Sequence, residues 1–274
     1  MLVTVYNRCG VTIQGLRRLY AAIGVMPNDY LFDIYLTDDG CTDGTGEAVA
    51  AEFPDIDIIK GDGSLFWGGG MRLAWNAAIE SDMDYDYYLW FNDDSELYDS
   101  ALNIIFDCSS DDCIVTGAFC DSSNKPSYGG RNRNDQILEP NGVTQEVYMM
   151  NGNLVLVPHA IYAAIGNITP RFVHGGGDFD YGFRAQKAGY KVLLSKDYVG
   201  VADRHDEIIP KYCRQEISLR ERWNALNNPV NSPFEHFKYS IKYNGVTNAV
   251  RSFVLCYVGV FFPKVYKKMK YNFG

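Results

Sequence analysis

The sequence offers no apolar stretch long enough to cross a membrane. Phe253–Phe262 is apolar throughout, but a spanning helix needs about 20 such residues. No signal peptide is expected, because Met1 passes directly into a candidate core strand. Cysteine is present without a pattern. Cys9, Cys41, Cys108, Cys113, Cys120, Cys213 and Cys256 form an odd set without compact spacing, and they read as reduced cytoplasmic thiols. Cys108 and Cys113 come nearest to a metal-ligand spacing, but no histidine lies near them, which argues against zinc. Basic charge is scarce over residues 1–209, which carry fourteen Lys/Arg against thirty-one Asp/Glu, a balance of −17. So acidic a body argues against a nucleic-acid partner.

The 274 residues suffice for one large α/β domain or a domain with an appendage. At 47% hydrophobic and 14% aromatic the chain can bury a substantial core, which excludes global disorder. The densest apolar run is Tyr87–Phe91, read as a strand buried on both faces. It runs straight into Asn92-Asp93-Asp94, where carboxylates are costly unless a cation meets them. Two adjacent carboxylates and an amide suit a hard divalent cation with room left for phosphate oxygens. An Asp-rich turn with a solvated tip is the plainer reading of the same residues.

Position decides between them. Leu2–Tyr6, Phe32–Thr37, Ile56–Lys60 and Tyr87–Phe91 read as strands, alternating with helices over Val11–Ala22, from Thr42 or Asp43 to Glu52, and over Met71–Ser81. The pattern predicts a mostly parallel sheet with helices on both faces. Asn7, Asp38-Asp39, the Gly61–Gly70 loop with Trp67, and Asp93-Asp94 all follow strands, so they converge on one edge, where open α/β sheets bind ligands. A helix around Ser100–Cys108 and a strand at Ile114–Phe119 come next. Asp121–Gln145 is rich in Ser, Asn, Gly and Arg and reads as a loop or small excursion over the site. Order returns at Tyr148–Pro158. Gly175-Gly176-Gly177 then lead into a helix that Gly189 ends, with Asp178 in the first turn, where the helix dipole favours its ionised form. Strands at Lys191–Leu194 and near Val199–Ala202 complete the body.

Residues 210–274 are helical in pattern and basic, with eleven Lys/Arg against three Asp/Glu (+8). Helices are expected at Ser218–Leu226, Pro233–Tyr243 and Val246–Phe262, with Lys264, Lys267, Lys268 and Lys270 after Pro263. The apolar-plus-polybasic segment 253–270 fits an anchor on an anionic membrane surface, and it equally fits a helix packed on the domain with a solvated end.

Four motifs in order over residues 1–205 carry a resemblance: Thr4-Val5-Tyr6-Asn7-Arg8, Asp38-Asp39-Gly40-Cys41-Thr42-Asp43-Gly44-Thr45, Asn92-Asp93-Asp94, and Gly177-Asp178-Phe179-Asp180 with Arg184. Together they resemble the family 2 glycosyltransferases, nearest to the rhamnosyltransferase-like branch of bacterial surface-polysaccharide synthesis. The resemblance implies the GT-A nucleotide-diphospho-sugar transferase fold over 1–209, with 210–274 as a helical extension. It also implies inverting transfer from a nucleotide-diphosphate sugar to a saccharide or lipid-linked acceptor. Tyr6, Asn7, Asp38 and Asp39 would line the nucleoside pocket, and Asp93, Trp67 and Arg72 are further expected donor-side residues. Asp94 would hold Mg²⁺ or Mn²⁺ at the place of the family's Asp-x-Asp motif, whose first position is Asn92 here. Asp178 would be the base, fixed by Asp180 and Arg184. His205 is matched to a third metal ligand, although Ala202-Asp203-Arg204-His205 departs from the usual spacing. The enzyme is expected to work in the cytoplasm, with peripheral contact at the inner membrane face.

Two other functions fit parts of the pattern. A sugar-1-phosphate nucleotidyltransferase shares the strand-end carboxylates but expects a Gly/Arg/Lys-rich phosphate loop after the first strand, where only Arg8 and Gly10 stand. A non-catalytic sugar-nucleotide-binding domain would not need Asp94 and Asp178 together, since binding requires no base.

Overall fold

The computed structural model describes residues 1–172, 175–204, 210–228, 232–243 and 245–271. Each apolar run condenses into a strand. β1 (Leu2–Val5), β2 (Ile34–Asp38), β3 (Ile56–Lys60) and β4 (Tyr87–Phe91) are joined by α1 (Cys9–Gly24), α2 (Thr45–Glu52) and α3 (Phe66–Glu80). They pair in parallel in the order β3-β2-β1-β4. The chain continues through β5 (Glu96–Leu97), α4 (Ala101–Asp107), β6 (Cys113–Cys120) and the short strands β7 (Pro126–Tyr128), β8 (Gly130–Arg131), β9 (Gln145–Glu146) and β10 (Met149–Met150). β11 (Leu154–Pro158), α5 (His159–Ile165), α6 (Gly177–Lys187) and β12 (Lys191–Val201) follow. Beyond β4 the sheet runs β11-β6-β12-β5, with β11 antiparallel to both neighbours and β12 parallel to β6.

Alternation along β4 divides the core in two, as a strand covered on both faces requires. Leu89 and Phe91 join Val3, Val5 and Leu36 on one face. Tyr88 and Trp90 join Leu2, Met71 and Trp75 on the other. Among the described residues no disulfide links any cysteine.

Several elements depart from the sequence expectation. α3 starts at Phe66, not Met71, so Gly68-Gly69-Gly70 lie inside its first turns. Glycine is a poor helix former, but a Cβ on Gly70 would come 2.0 Å from Thr4 Oγ1, so only glycine lets α3 pack this closely on β1. The two expected strands at 191–194 and 199–202 are one strand, β12, with register shifts between Leu194 and Gly200. At that irregularity Ser195 Oγ accepts the Ala118 N–H and donates to the Asp197 carbonyl, both at 2.8 Å, replacing ladder bonds that the bulge removes. The 121–145 excursion contains β7, β8 and β9, and α5 follows Pro158 without having been foreseen.

Contacts group the chain into two units: Met1–Arg171 with Gly177–Arg204, and Phe172–Gly176 with His205–Gly274. In the second unit lie α7 (Leu219–Leu226), α8 (Pro233–Tyr243), α9 (Val246–Phe261) and α10 (Pro263–Tyr271). A capping box between Ser218 and Glu221 opens α7. Arg222 then ties α7 to α9 through a 2.8 Å bond to the Val260 carbonyl. Pro263 ends α9 as expected, and it also starts α10, where its missing N–H costs nothing. Among the described residues no helix is long and apolar enough to cross a membrane.

Candidate active site

The carboxyl ends of β1, β2 and β4 lie side by side, and three loops lock together there. Asn7, held at φ 48°, accepts the Thr42 N–H on its Oδ1 at 2.8 Å, which ties the β1 loop to the β2 loop. Asp43 accepts the Cys9 N–H at 3.0 Å and the Thr45 N–H at 3.1 Å, so one carboxylate serves the starts of α1 and α2. Asp38 accepts Lys60 Nζ at 2.6 Å and the Cys41 N–H at 2.8 Å. Burial opposes its ionisation, but these partners outweigh it and hold the carboxyl below the usual range. Asp39 accepts the N–H groups of Gly63, Leu65 and Phe66 at 2.9 to 3.0 Å, so it caps α3 and shapes the turn before it. Tyr6 is left 52% exposed at the rim.

The β4 loop carries the densest charge. Asp93 is 1% exposed and Asp94 26%, and the Arg8 guanidinium spans them, with Nη2 to Asp93 Oδ1 at 2.6 Å and Nη1 to Asp94 Oδ2 at 2.8 Å. Thr12 Oγ1 donates to the other oxygen of Asp93 at 2.6 Å. Burial pushes the Asp93 carboxyl up to about 6, although Arg8 and Thr12 pull the other way. A Cβ on Gly15 would lie 2.1 Å from the Asp93 carbonyl oxygen, so α1 reaches this strand end only because residue 15 is glycine. Among the described residues Asp94 Oδ1 has no hydrogen-bond donor.

Trp67, in the first turn of α3, connects this cluster to Asp178. Its indole N–H donates to Asn92 Oδ1 at 2.7 Å. A Cβ on Gly152 would come 2.6 Å from the Trp67 ring, and one on Gly177 would come 3.4 Å from it. The Gly152 N–H donates to Asp178 Oδ2 at 3.0 Å, and the Phe179 N–H to Oδ1 at 2.9 Å. Desolvation raises the Asp178 carboxyl to about 6, against the pull of those two bonds. Arg131, on β8, is a further cation that favours its ionised form. Asp180, fully buried, receives Arg184 Nε at 3.0 Å, and the same guanidinium donates to the Ile165 and Asn167 carbonyls at 2.6 and 2.9 Å. That clamp fixes α6 to the end of α5. Arg72 lies five residues beyond Trp67 on α3, and among the described residues its guanidinium has no hydrogen-bond or ion-pair partner.

The structure therefore brings Asn7, Asp38, Asp39, Trp67, Asp93, Asp94 and Asp178 to one edge, with Asp180 and Arg184 behind Asp178. His205 lies outside the described residues. Among the described residues no three His, Cys, Asp or Glu side chains gather as a metal cage. Arg8, Thr12 and Gly152 were not singled out as site residues from the sequence. The available signal for Arg8 was a lone cation at a strand end facing three acidic loops.

The fold is that of the GT-A nucleotide-diphospho-sugar transferases. Among solved structures the chain is similar to the mannosyltransferase PcManGT of Pyrobaculum calidifontis in complex with GDP-Man and Mn²⁺, at 16% identity and a TM-score of 0.55 over 94% of this chain and 74% of that one. It is also similar to GalNAc-T7 with UDP, GalNAc and Mn²⁺ (12% identity, TM-score 0.57, 98% of this chain, 57% of that one) and to S. aureus TarS 1–349 (13%, 0.52, 98%, 88%). No protein-family model matches the sequence, and no curated protein matches it.

Proposed function

We propose that this chain is an inverting glycosyltransferase that moves a sugar from a nucleotide-diphosphate donor to a saccharide or lipid-linked saccharide in cell-surface polysaccharide assembly, akin to the rhamnosyltransferase-like branch. One observation carries the reading: the Asp178 carboxyl is one tryptophan away from the Asn92-Asp93-Asp94 strand end, in a fold shared with nucleotide-sugar transferases. Residues 1–209 act as the catalytic domain and 210–274 as its extension. Asp178 takes the proton of the attacking acceptor hydroxyl, and a carboxyl lifted to about 6 suits a base working near neutral pH. The Asp180–Arg184 pair acts on Asp178 by holding the first turn of α6 in place. Tyr6 and Asn7 flank the nucleoside, and Asp38 and Asp39 shape that pocket through the loops they bind. Arg72, unpartnered among the described residues, faces the donor phosphates.

The donor set fits a hard divalent ion. Asp94 has a free oxygen, and Mg²⁺ or Mn²⁺ is usually held by one or two carboxylates plus substrate phosphates, not by an all-protein cage. Asp94 would hold it, with His205 as a further candidate, and the ion supplies charge neutralisation on the departing diphosphate.

UDP-, dTDP- and GDP-sugars, tested with Mg²⁺ or Mn²⁺ by thermal shift and by nucleoside-diphosphate release, provide the test. At least one donor should stabilise the protein, EDTA should abolish that shift, and Asp94→Asn should abolish turnover while keeping the fold. Wild-type turnover in EDTA with Asp94→Asn equally active would remove the metal role. Stabilisation without any turnover would make the chain a binding domain.

A further inference from the structure

Arg8 occupies the place that a metal ion would contest. Its guanidinium bridges two carboxylates that differ in environment, one buried at 1% exposure and one open at 26%. The fork spans them because Asp93 and Asp94 are adjacent at the end of β4 and α1 passes close enough to set Arg8 beside both. Asp93 has a second donor in Thr12 and is out of reach of solvent, so its bond to Arg8 is the permanent one. Asp94 lacks a second donor, and Nη1 of Arg8 holds one of its two oxygens. Arg8 itself is 41% exposed.

On the glycosyltransferase reading, we propose that Arg8 makes metal binding conditional on the donor. With no diphosphate present, the guanidinium neutralises Asp94 and repels a divalent ion. When a metal-bound diphosphate arrives, Arg8 keeps Asp93 through Nη2 and releases Asp94 to the metal. Nη1 then turns to the diphosphate. The guanidinium fork, always charged, can hold a carboxylate with one edge and a phosphate with the other, which a lysine cannot do. Arg8 is thus a positioning residue for Asp94 and a binding residue for the donor's diphosphate. The acidic pair stays compensated in both states, which matters because an unpaired buried carboxylate is costly.

The experiment measures Mn²⁺ binding to the full chain from the signal of free Mn²⁺, alone and with UDP, GDP or dTDP, for wild type, Arg8→Gln and Arg8→Lys, with melting curves to confirm folding. A like charge at this range acts with the strength of one or more pKa units, so Arg8→Gln should bind Mn²⁺ alone about tenfold more tightly than wild type or better. Its nucleoside-diphosphate affinity should fall. In wild type, Mn²⁺ should bind about tenfold more tightly with the preferred nucleotide than without it. Equal affinity of wild type and Arg8→Gln for Mn²⁺ alone overturns the proposal, as does unchanged nucleotide affinity. If Arg8→Gln does not fold, Arg8→Lys must show a smaller rise in Mn²⁺ affinity, because an ammonium cannot span both carboxylates; no rise overturns it. Failure of all three nucleotides to bind wild type would instead defeat the donor reading, and the Mn²⁺-alone comparison would still report on Arg8.

Discussion

At the scale of single residues, the base proposed above is a carboxyl whose protonation the fold adjusts. Asp178 sits at a helix start, which favours its ionised form, yet desolvation of the half-buried carboxyl raises it to about 6. Activity limited by this base should rise with pH through an apparent pKa near 6. Asp178→Asn should leave donor affinity within a few-fold and cut transfer by about 10²–10⁴, or roughly 3–5 kcal/mol of barrier. Stability gives an independent check. The unfolded chain loses the Asp178 proton near pH 4 and the folded one near 6, so wild-type stability falls as pH rises across that window. The fall is up to about 3 kcal/mol. Asp178→Asn has no such proton to lose, so its melting temperature should gain on wild type by several degrees between pH 4 and 7. Asp93 titrates in both proteins and cancels. A constant difference across the range would show that burial does not govern Asp178.

At the scale of elements, glycines decide where helices touch the sheet. α1 crosses the carbonyl of Asp93 at Gly15, and α3 crosses Thr4 at Gly70. Gly15→Ala would place a methyl 2.1 Å from a backbone oxygen that cannot yield, so α1 must shift. Chemical denaturation should show a loss of about 1–3 kcal/mol. Donor-free Mn²⁺ affinity should change with it, because Arg8 and Thr12 move with α1. Gly10→Ala is the control on the same helix, with nothing within 4 Å, and should be neutral or stabilising by up to about 1 kcal/mol. Equal effects of the two substitutions would mean that helix propensity, not close packing, sets the cost at residue 15.

At the scale of the molecule, charge and apolar surface are unevenly placed. In the second unit, Val246, Val250, Val254 and Phe261 are exposed along one stripe of α9, Phe262 follows, and Val265 and Met269 are exposed on α10. Lys264, Lys267 and Lys268 are exposed on α10 as well. We propose that this face rests on an anionic bilayer, where apolar insertion and lysine attraction act together and where a lipid-linked acceptor would be met. Co-sedimentation with phosphatidylglycerol vesicles should be strong at low salt, fall with added salt, and fall again when the three lysines become glutamine. No binding at low salt would leave the stripe without a membrane role.

The sequence by itself determined the alternation of strands and helices, the buried β4 and the polar clusters at the strand ends, because hydrophobic period and turn chemistry are local properties. It also placed Asp178 in the first turn of α6, since a glycine run followed by an acid marks a helix start. The direction of β11 was decided only in three dimensions, because a strand covered on both faces carries no polarity in its side chains. The same holds for the first turns of α3, where contact with β1 overrode the poor helix propensity of three glycines, and for the continuity of β12 through its bulge. Arg8 shows the limit most plainly. Its partners are 85 and 86 residues away, and an ion pair over that span exists only once the sheet has set β1 beside β4.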